Sequence, residues 1–160
     1  PDDPRVIRMR TFSKAYGMAG ARVGYAIGAT ELIAAFDKVR NHFGMSRISQ
    51  VGALTALADT DHLIETQAAV TVARGRIAEI AAQNGLTALP SAANFVAIDC
   101  GGDGSFATRV LEGLGARDIF VRKPFVAPED RCIRVSAGTP AMLDLFETAL
   151  PGALADARRG

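Results

Sequence analysis

The chain has 160 residues, 49% of them hydrophobic, 22% charged and 6% aromatic, a composition that sets disordered and fibrous architectures aside. Lys and Arg number 18 against 17 Asp and Glu, so the formal net charge of +1 gives no electrostatic reason to expect nucleic acid or an anionic membrane as partner. No apolar run reaches the roughly 18 residues of a spanning helix.

In chain order, residues 6–9 and 23–27 read as two short strands around a stretch holding Gly17, Gly20 and Gly24, with Arg22 at the start of the second. From Thr30, read as an N-cap, helical spacing puts Leu32, Ile33, Phe36, Val39 and Phe43 on one face up to a stop at Gly44. Ile48, Val51, Leu54 and Leu57 mark a second helix opening after Ser46, and a longer one runs over 61–83 to a stop at Asn84-Gly85. Beyond it, strands are expected near 87–89, 95–99, 119–122 and 132–136, with a helix over 105–114. A last helix opens at Thr139-Pro140 and is stopped by Pro151-Gly152, leaving a frayed polar end.

This alternation is α/β. It divides into a strand–loop–strand piece at 1–30, linking helices over 31–84 and a small α+β unit at 85–160. A lone strand pair leaves both edges and an apolar face uncovered, so the first piece is not a domain by itself. The opening on Pro1, without an initiator Met or a signal-peptide layout, is read as the mark of part of something longer.

Cys100 and Cys132 are too few and too far apart for a metal knuckle or a disulfide framework and read as small apolar strand residues. His42 and His62 lack a second ligand at metal spacing and read as solvated or capping residues, so no metal site is expected.

The informative stretch is Thr11-Phe12-Ser13-Lys14-Ala15-Tyr16-Gly17-Met18-Ala19-Gly20-Ala21-Arg22-Val23-Gly24-Tyr25. A lysine at a strand end, behind two hydroxyl residues and ahead of small residues that allow close backbone packing, suits covalent chemistry with a carbonyl. Its amine, ordinarily near pKa 10.4, needs desolvation or a neighbouring cation to act as a base near neutral pH. Arg22 returns from the Gly-rich turn and is able to grip a phosphate with two parallel hydrogen bonds, and Ser13 adds a hydroxyl. From residue type alone, a surface lysine and an arginine paired with a carboxylate read equally well.

Together these residues resemble the lysine signature of fold-type-I pyridoxal-phosphate enzymes. Thr-Phe-Ser-Lys-Ala-Tyr-Gly, two residues and Gly is similar to the class II aminotransferase pattern, and Ala-Gly-Ala-Arg-Val-Gly-Tyr to its histidinol-phosphate aminotransferase branch. The resemblance implies that Lys14 bonds to the cofactor's aldehyde and shuttles the substrate's Cα proton, while Ser13 and Arg22 bind the cofactor phosphate. Tyr16 and Tyr25 read as packing residues.

A second stretch, Cys132-Ile133-Arg134-Val135-Ser136-Ala137-Gly138-Thr139-Pro140, resembles the family's strand bearing the arginine for the substrate's carboxylate. Arg134 among apolar neighbours needs an anionic partner, and a buried Asp or backbone carbonyls would also satisfy it. Arg122, in Phe120-Val121-Arg122, matches the arginine that helps bind a substrate phosphate in the same family, and Asn94-Phe95-Val96 matches a structural strand.

The expected architecture is thus the C-terminal portion of the fold-type-I transferase fold, the end of its large domain followed by the small one. The family's aspartate for the pyridine nitrogen, ring-stacking aromatic and Gly-rich helix start are not found in these residues. Asp2 and Asp3 sit at the wrong end of the first strand to replace the aspartate. The implied activity is amino-group transfer between an amino acid or histidinol phosphate and a 2-oxo acid, in a cytoplasmic homodimer with no nucleic-acid or membrane partner. Alternatives are a decarboxylase or acyltransferase on the same scaffold, or a catalytically inactive small-domain fragment.

Overall fold

The computed structural model describes residues 3–159; the expectation placed on Asp2 lies outside them. Two compact units divide the chain, Pro1–Gln67 and Ala68–Gly160, with the boundary inside a helix.

In the first unit, β1 (Arg8–Thr11) and β2 (Gly24–Ile27) form an antiparallel pair with Arg8 opposite Ile27 and Thr11 opposite Gly24. The ladder is closed by the Phe12 amide donating to the Val23 carbonyl at 3.2 Å, which places β1 two residues later than the spacing predicts. Every β1 residue is exposed, so alternation carried little signal there. Helix α1 (Thr30–Ala35) is followed by a single 3-10 turn, Phe36–Lys38, and does not reach Phe43. Of its expected apolar face Leu32 and Ile33 are half-buried, whereas Val39 is 82% and Phe43 94% exposed. A short helix without tertiary packing does not propagate. Thr30 is also not the cap: Ala29 occupies that position, without a side-chain bond. Helix α2 (Arg47–Ala58) opens as expected on Ser46, whose hydroxyl accepts from the Ser49 amide at 3.0 Å. The unit's core is three buried residues, Phe12, Val23 and Ala53, with Tyr16, Met18, Ala21 and Ala56 around them.

Helix α3 (Thr60–Gln83) crosses the boundary and ends where Asn84-Gly85 announces it. The Leu86 amide donates to Ala81 and the Gly85 amide to Ala82, closing the last turn. The second unit then builds an antiparallel sheet in the order β3 (Thr87–Ala88), β4 (Phe95–Asp99), β5 (Cys132–Ser136). Val96 pairs with Val135 and Ile98 with Ile133, and these alternate residues are buried. Helix α4 (Gly104–Gly115), capped by the Asp103 carboxylate on the Phe106 amide at 2.8 Å, packs against β5 and against α5 (Pro140–Arg159). Ile77, Ile80, Val110, Leu114, Phe146, Leu150 and Leu154 complete one continuous core.

Two expectations fail here for identifiable reasons. Residues 119–122 form no strand: Asp118 adopts a left-handed conformation after α4, and only Arg122 bridges, to Arg134. Pro151 does not end α5, which runs eight residues further to Arg159. An interior proline costs about 3 kcal/mol, and the following turns bury Ala153, Leu154 and Ala157, with Leu154 alone worth about 1.5–3 kcal/mol. Side chains hold the same stretch. Arg109 donates to the Ala157 carbonyl at 2.9 Å, and Arg117 bridges to Asp156 at 2.6 Å. Cys100 and Cys132 are buried free thiols, and burial pushes the Cys100 thiol up to about 11.

Candidate active site

Ser13, Lys14 and Arg22 share the loop between β1 and β2, in the first unit. Phe12, 2% exposed, anchors it: its ring lies 4.8 Å from that of Tyr16 and 5.9 Å from that of Tyr25, and its carbonyl accepts from Met18 at 3.0 Å. Tyr16 and Tyr25 are therefore packing residues around the anchor. Phe12 is hydrogen-bonded to Val23, and Ser13 and Arg22 are the next residues into the loop on either side, with Lys14 one position further along the chain. The Gly17 amide donates to the Lys14 carbonyl at 2.9 Å, a turn that needs the positive φ of +67° found at Gly17. Gly24 is required by close approach, since a Cβ there would stand 2.6 Å from the Arg10 carbonyl oxygen.

Lys14 is exposed and Ser13 half-buried, its amide donating to the Thr11 hydroxyl at 3.0 Å. Arg22 does not begin the second strand. It stands two residues before β2 in a left-handed conformation, φ 51°, with its guanidinium donating to the Ala19 carbonyl at 2.7 Å. That conformation costs a non-glycine residue roughly 1–2 kcal/mol and persists only where the surroundings fix it. Here the Ser49 hydroxyl, the one buried polar side chain of the described residues, donates to the neighbouring Ala21 carbonyl at 2.7 Å. Ser49 was not singled out from the sequence, where only Ser46 signalled the start of α2. Neither Lys14 nor Arg22 pairs with a carboxylate among the described residues. An amine, a hydroxyl and a guanidinium on one pinned loop are a donor set for a phosphate that also carries a reactive carbonyl. Asp3 adds nothing to this set. It precedes β1, at the end away from Lys14, and the Arg5 guanidinium at 2.8 Å holds its carboxyl below the usual range.

The second unit carries the other arginines. Arg122 and Arg134 exchange both backbone hydrogen bonds, at 3.2 and 2.6 Å, so they are directly opposed and their side chains leave the same face of the ladder. Arg134 is half-buried over the Phe95 ring, 4.5 Å from its centroid. Among the described residues its side chain has no carboxylate partner. Like charges directly opposed in a ladder are destabilising, and an anion between them reverses the sign. Both line a cavity of about 670 Å³ with Thr108, Leu111, Phe120, Val121, Lys123, Pro124 and Phe125. Sequence reasoning missed Phe95 as the platform under Arg134, and Lys123. Among the described residues no group of three or more His, Cys, Asp or Glu is placed to hold a metal, and no helix is long and apolar enough to cross a membrane.

Comparison with known proteins places these features. The family model for aminotransferase class I and II matches residues 1–150. Histidinol-phosphate aminotransferase 1 of Mesorhizobium japonicum is 37% identical over 150 residues, 93% of this chain and 40% of its own length. An aromatic amino acid aminotransferase of Corynebacterium diphtheriae is 41% identical over 119 residues, covering 74% of this chain and 33% of that protein. Among solved structures, histidinol-phosphate aminotransferase from Sinorhizobium meliloti in complex with pyridoxal-5'-phosphate superposes with a TM-score of 0.92 at 52% identity, over 96% of this chain and 42% of that one. The chain spans about 40% of the length of such relatives. The architecture is that of a C-terminal-like portion of a fold-type-I aminotransferase, and the chain belongs to the class I and II aminotransferase family.

Proposed function

We propose that this chain supplies the C-terminal part of a pyridoxal-phosphate-dependent aminotransferase, acting between an amino acid or histidinol phosphate and a 2-oxo acid. The reading is supported by the pinned loop between β1 and β2, which carries Ser13, Lys14 and Arg22, in a chain whose relatives are aminotransferases. In this reading residues 1–30 are the end of the cofactor-binding domain, 31–84 the linking helices and 85–160 the small domain. A homodimer and a cytoplasmic location go with it.

The donor set fits the cofactor's phosphate and aldehyde. Arg22 would hold the phosphate with two N–H groups and Ser13 with its hydroxyl, leaving Lys14 to bind covalently. When bound, the cofactor supplies an electron sink for the charge left on the substrate's Cα. Displaced by the substrate's amine, Lys14 Nζ would be free to take the Cα proton. Arg134 orients the substrate through its carboxylate, and its seat on Phe95 reduces the freedom it loses on binding. Arg122 serves a substrate phosphate.

The chain has three lysines, Lys14, Lys38 and Lys123, so attachment is directly readable. After incubation with pyridoxal phosphate and borohydride reduction, peptide mass mapping is expected to find the adduct on Lys14. Equal labelling of all three would refute the assignment.

A further inference from the structure

The left-handed backbone of Arg22 is held from outside its own loop. A 3-10 turn, Ala19–Ala21, precedes it, and the Arg22 guanidinium folds back to donate to the Ala19 carbonyl at 2.7 Å. That bond uses one of the five N–H donors of an arginine, so four stay available to a ligand while the position of the group depends on the turn. The turn is tied at both sides of Ala21: its amide donates to the Met18 carbonyl at 3.1 Å, and its carbonyl accepts from the Ser49 hydroxyl at 2.7 Å. Ser49 lies on α2, 28 positions along the chain. A hydroxyl has one proton, and that of Ser49 goes to Ala21. In its 2.9 Å contact with the Ser46 hydroxyl, Ser46 is therefore the donor. With Ser49 only 9% exposed, water competes poorly for these bonds. The same helix meets the loop again one turn on, where a Cβ at Gly52 would stand 2.9 Å from the Met18 methyl.

We infer that Ser49 is a positioning residue: through the Ala21 carbonyl it holds Arg22 in the conformation that presents its guanidinium to the cofactor phosphate. The inference rests on the proposed reading that Arg22 and Ser13 hold that phosphate. Ser49 spends its proton on a backbone carbonyl, so its contribution to phosphate binding is made through Arg22. Two parallel N–H groups match a phosphate only when the guanidinium plane is correctly set, which makes the backbone angle at Arg22 matter more than it would for the point charge of a lysine. Without the bond from Ser49, Arg22 is released toward the right-handed and extended regions that a residue with a Cβ prefers.

The test uses the cofactor-free form of an enzyme containing this chain, titrated with pyridoxal phosphate and with pyridoxal, which share the aldehyde and differ in the phosphate. Absorbance of the lysine adduct gives both affinities. Ser49→Ala is expected to lower the preference for the phosphorylated ligand roughly 5-fold, the value of one neutral hydrogen bond, with pyridoxal affinity unchanged. Ser46→Ala removes the cap of α2 but leaves the Ser49 donor, and should keep the preference. A merely structural role weakens both ligands alike. Equal weakening in Ser49→Ala, an unchanged preference, or an equal loss of preference in Ser46→Ala overturns the inference and leaves the phosphate reading standing. No preference in the unmodified enzyme, or one unaffected by Arg22→Gln, removes the phosphate reading and the inference with it.

Discussion

The two units solve the problem of burying apolar surface differently. Ala68–Gly160 surrounds a sheet with helices and buries a continuous core from α3, β4, α4, β5 and α5. Among its described residues Pro1–Gln67 buries three apolar side chains and Ser49, leaves Val39, Phe43, Ile48, Val51 and Leu54 in the open, and has a strand pair exposed on both faces. A pair of strands with that little cover is marginal in water. The loop bearing Lys14 nevertheless belongs to the thinner unit, where local hydrogen bonds and one aromatic anchor fix it. The proposed cofactor residues are thus held by local geometry, and the proposed substrate arginines by a core.

The comparison breaks first at the level of stability. Leu150→Ala, at a fully buried position, should cost about 2–5 kcal/mol in chemical denaturation, whereas Ile48→Ala, at a residue 87% exposed, should stay within about 0.5 kcal/mol. Similar costs at both would mean that the first unit is packed as densely as the second. Ser49→Ala removes the donor to the Ala21 carbonyl and should cost about 1 kcal/mol, felt in the first unit alone. Faster amide exchange in the loop around Arg22, with exchange in β4 and β5 unchanged, would register it.

Smaller effects sharpen the contrast through pH. Asp156 has its carboxyl lowered, first by the Arg117 hydrogen bond and then by that of Arg159. A depressed folded pKa contributes stability that is complete above the ordinary carboxylate range and is lost as pH falls through the lower folded value. Asp156→Asn should therefore flatten the acid limb of the second unit's denaturation profile. Cys100 runs the other way. Its raised pKa leaves the thiol neutral until pH nears 11, and a thiol reagent at pH 8 should reach it only on unfolding.

Much of the second unit was legible because burial imposes pattern. β4 and β5 fall on the expected residues, where alternate side chains enter the core, and α3 stops at the expected Gly85. Legibility failed where apolar residues have nothing to pack on, as from Phe36 to Phe43, and where packing overrides a local breaker, as at Pro151. In the candidate site, the strand–loop–strand that carries Ser13, Lys14 and Arg22 was legible, while the roles proposed for these residues come from the family resemblance. Ser49 and Lys123 were not, because their significance lies in what they face across the fold: a carbonyl 28 positions away and a cavity shared with Arg134.

The division of labour between the units is tested most directly by Arg134→Ala in an enzyme containing this chain, following kinetics with a carboxylate substrate together with cofactor absorbance. The account predicts a KM raised roughly 10- to 100-fold, the value of a charge-assisted hydrogen-bond pair, with cofactor content unchanged. Loss of cofactor in parallel with loss of substrate affinity would contradict it.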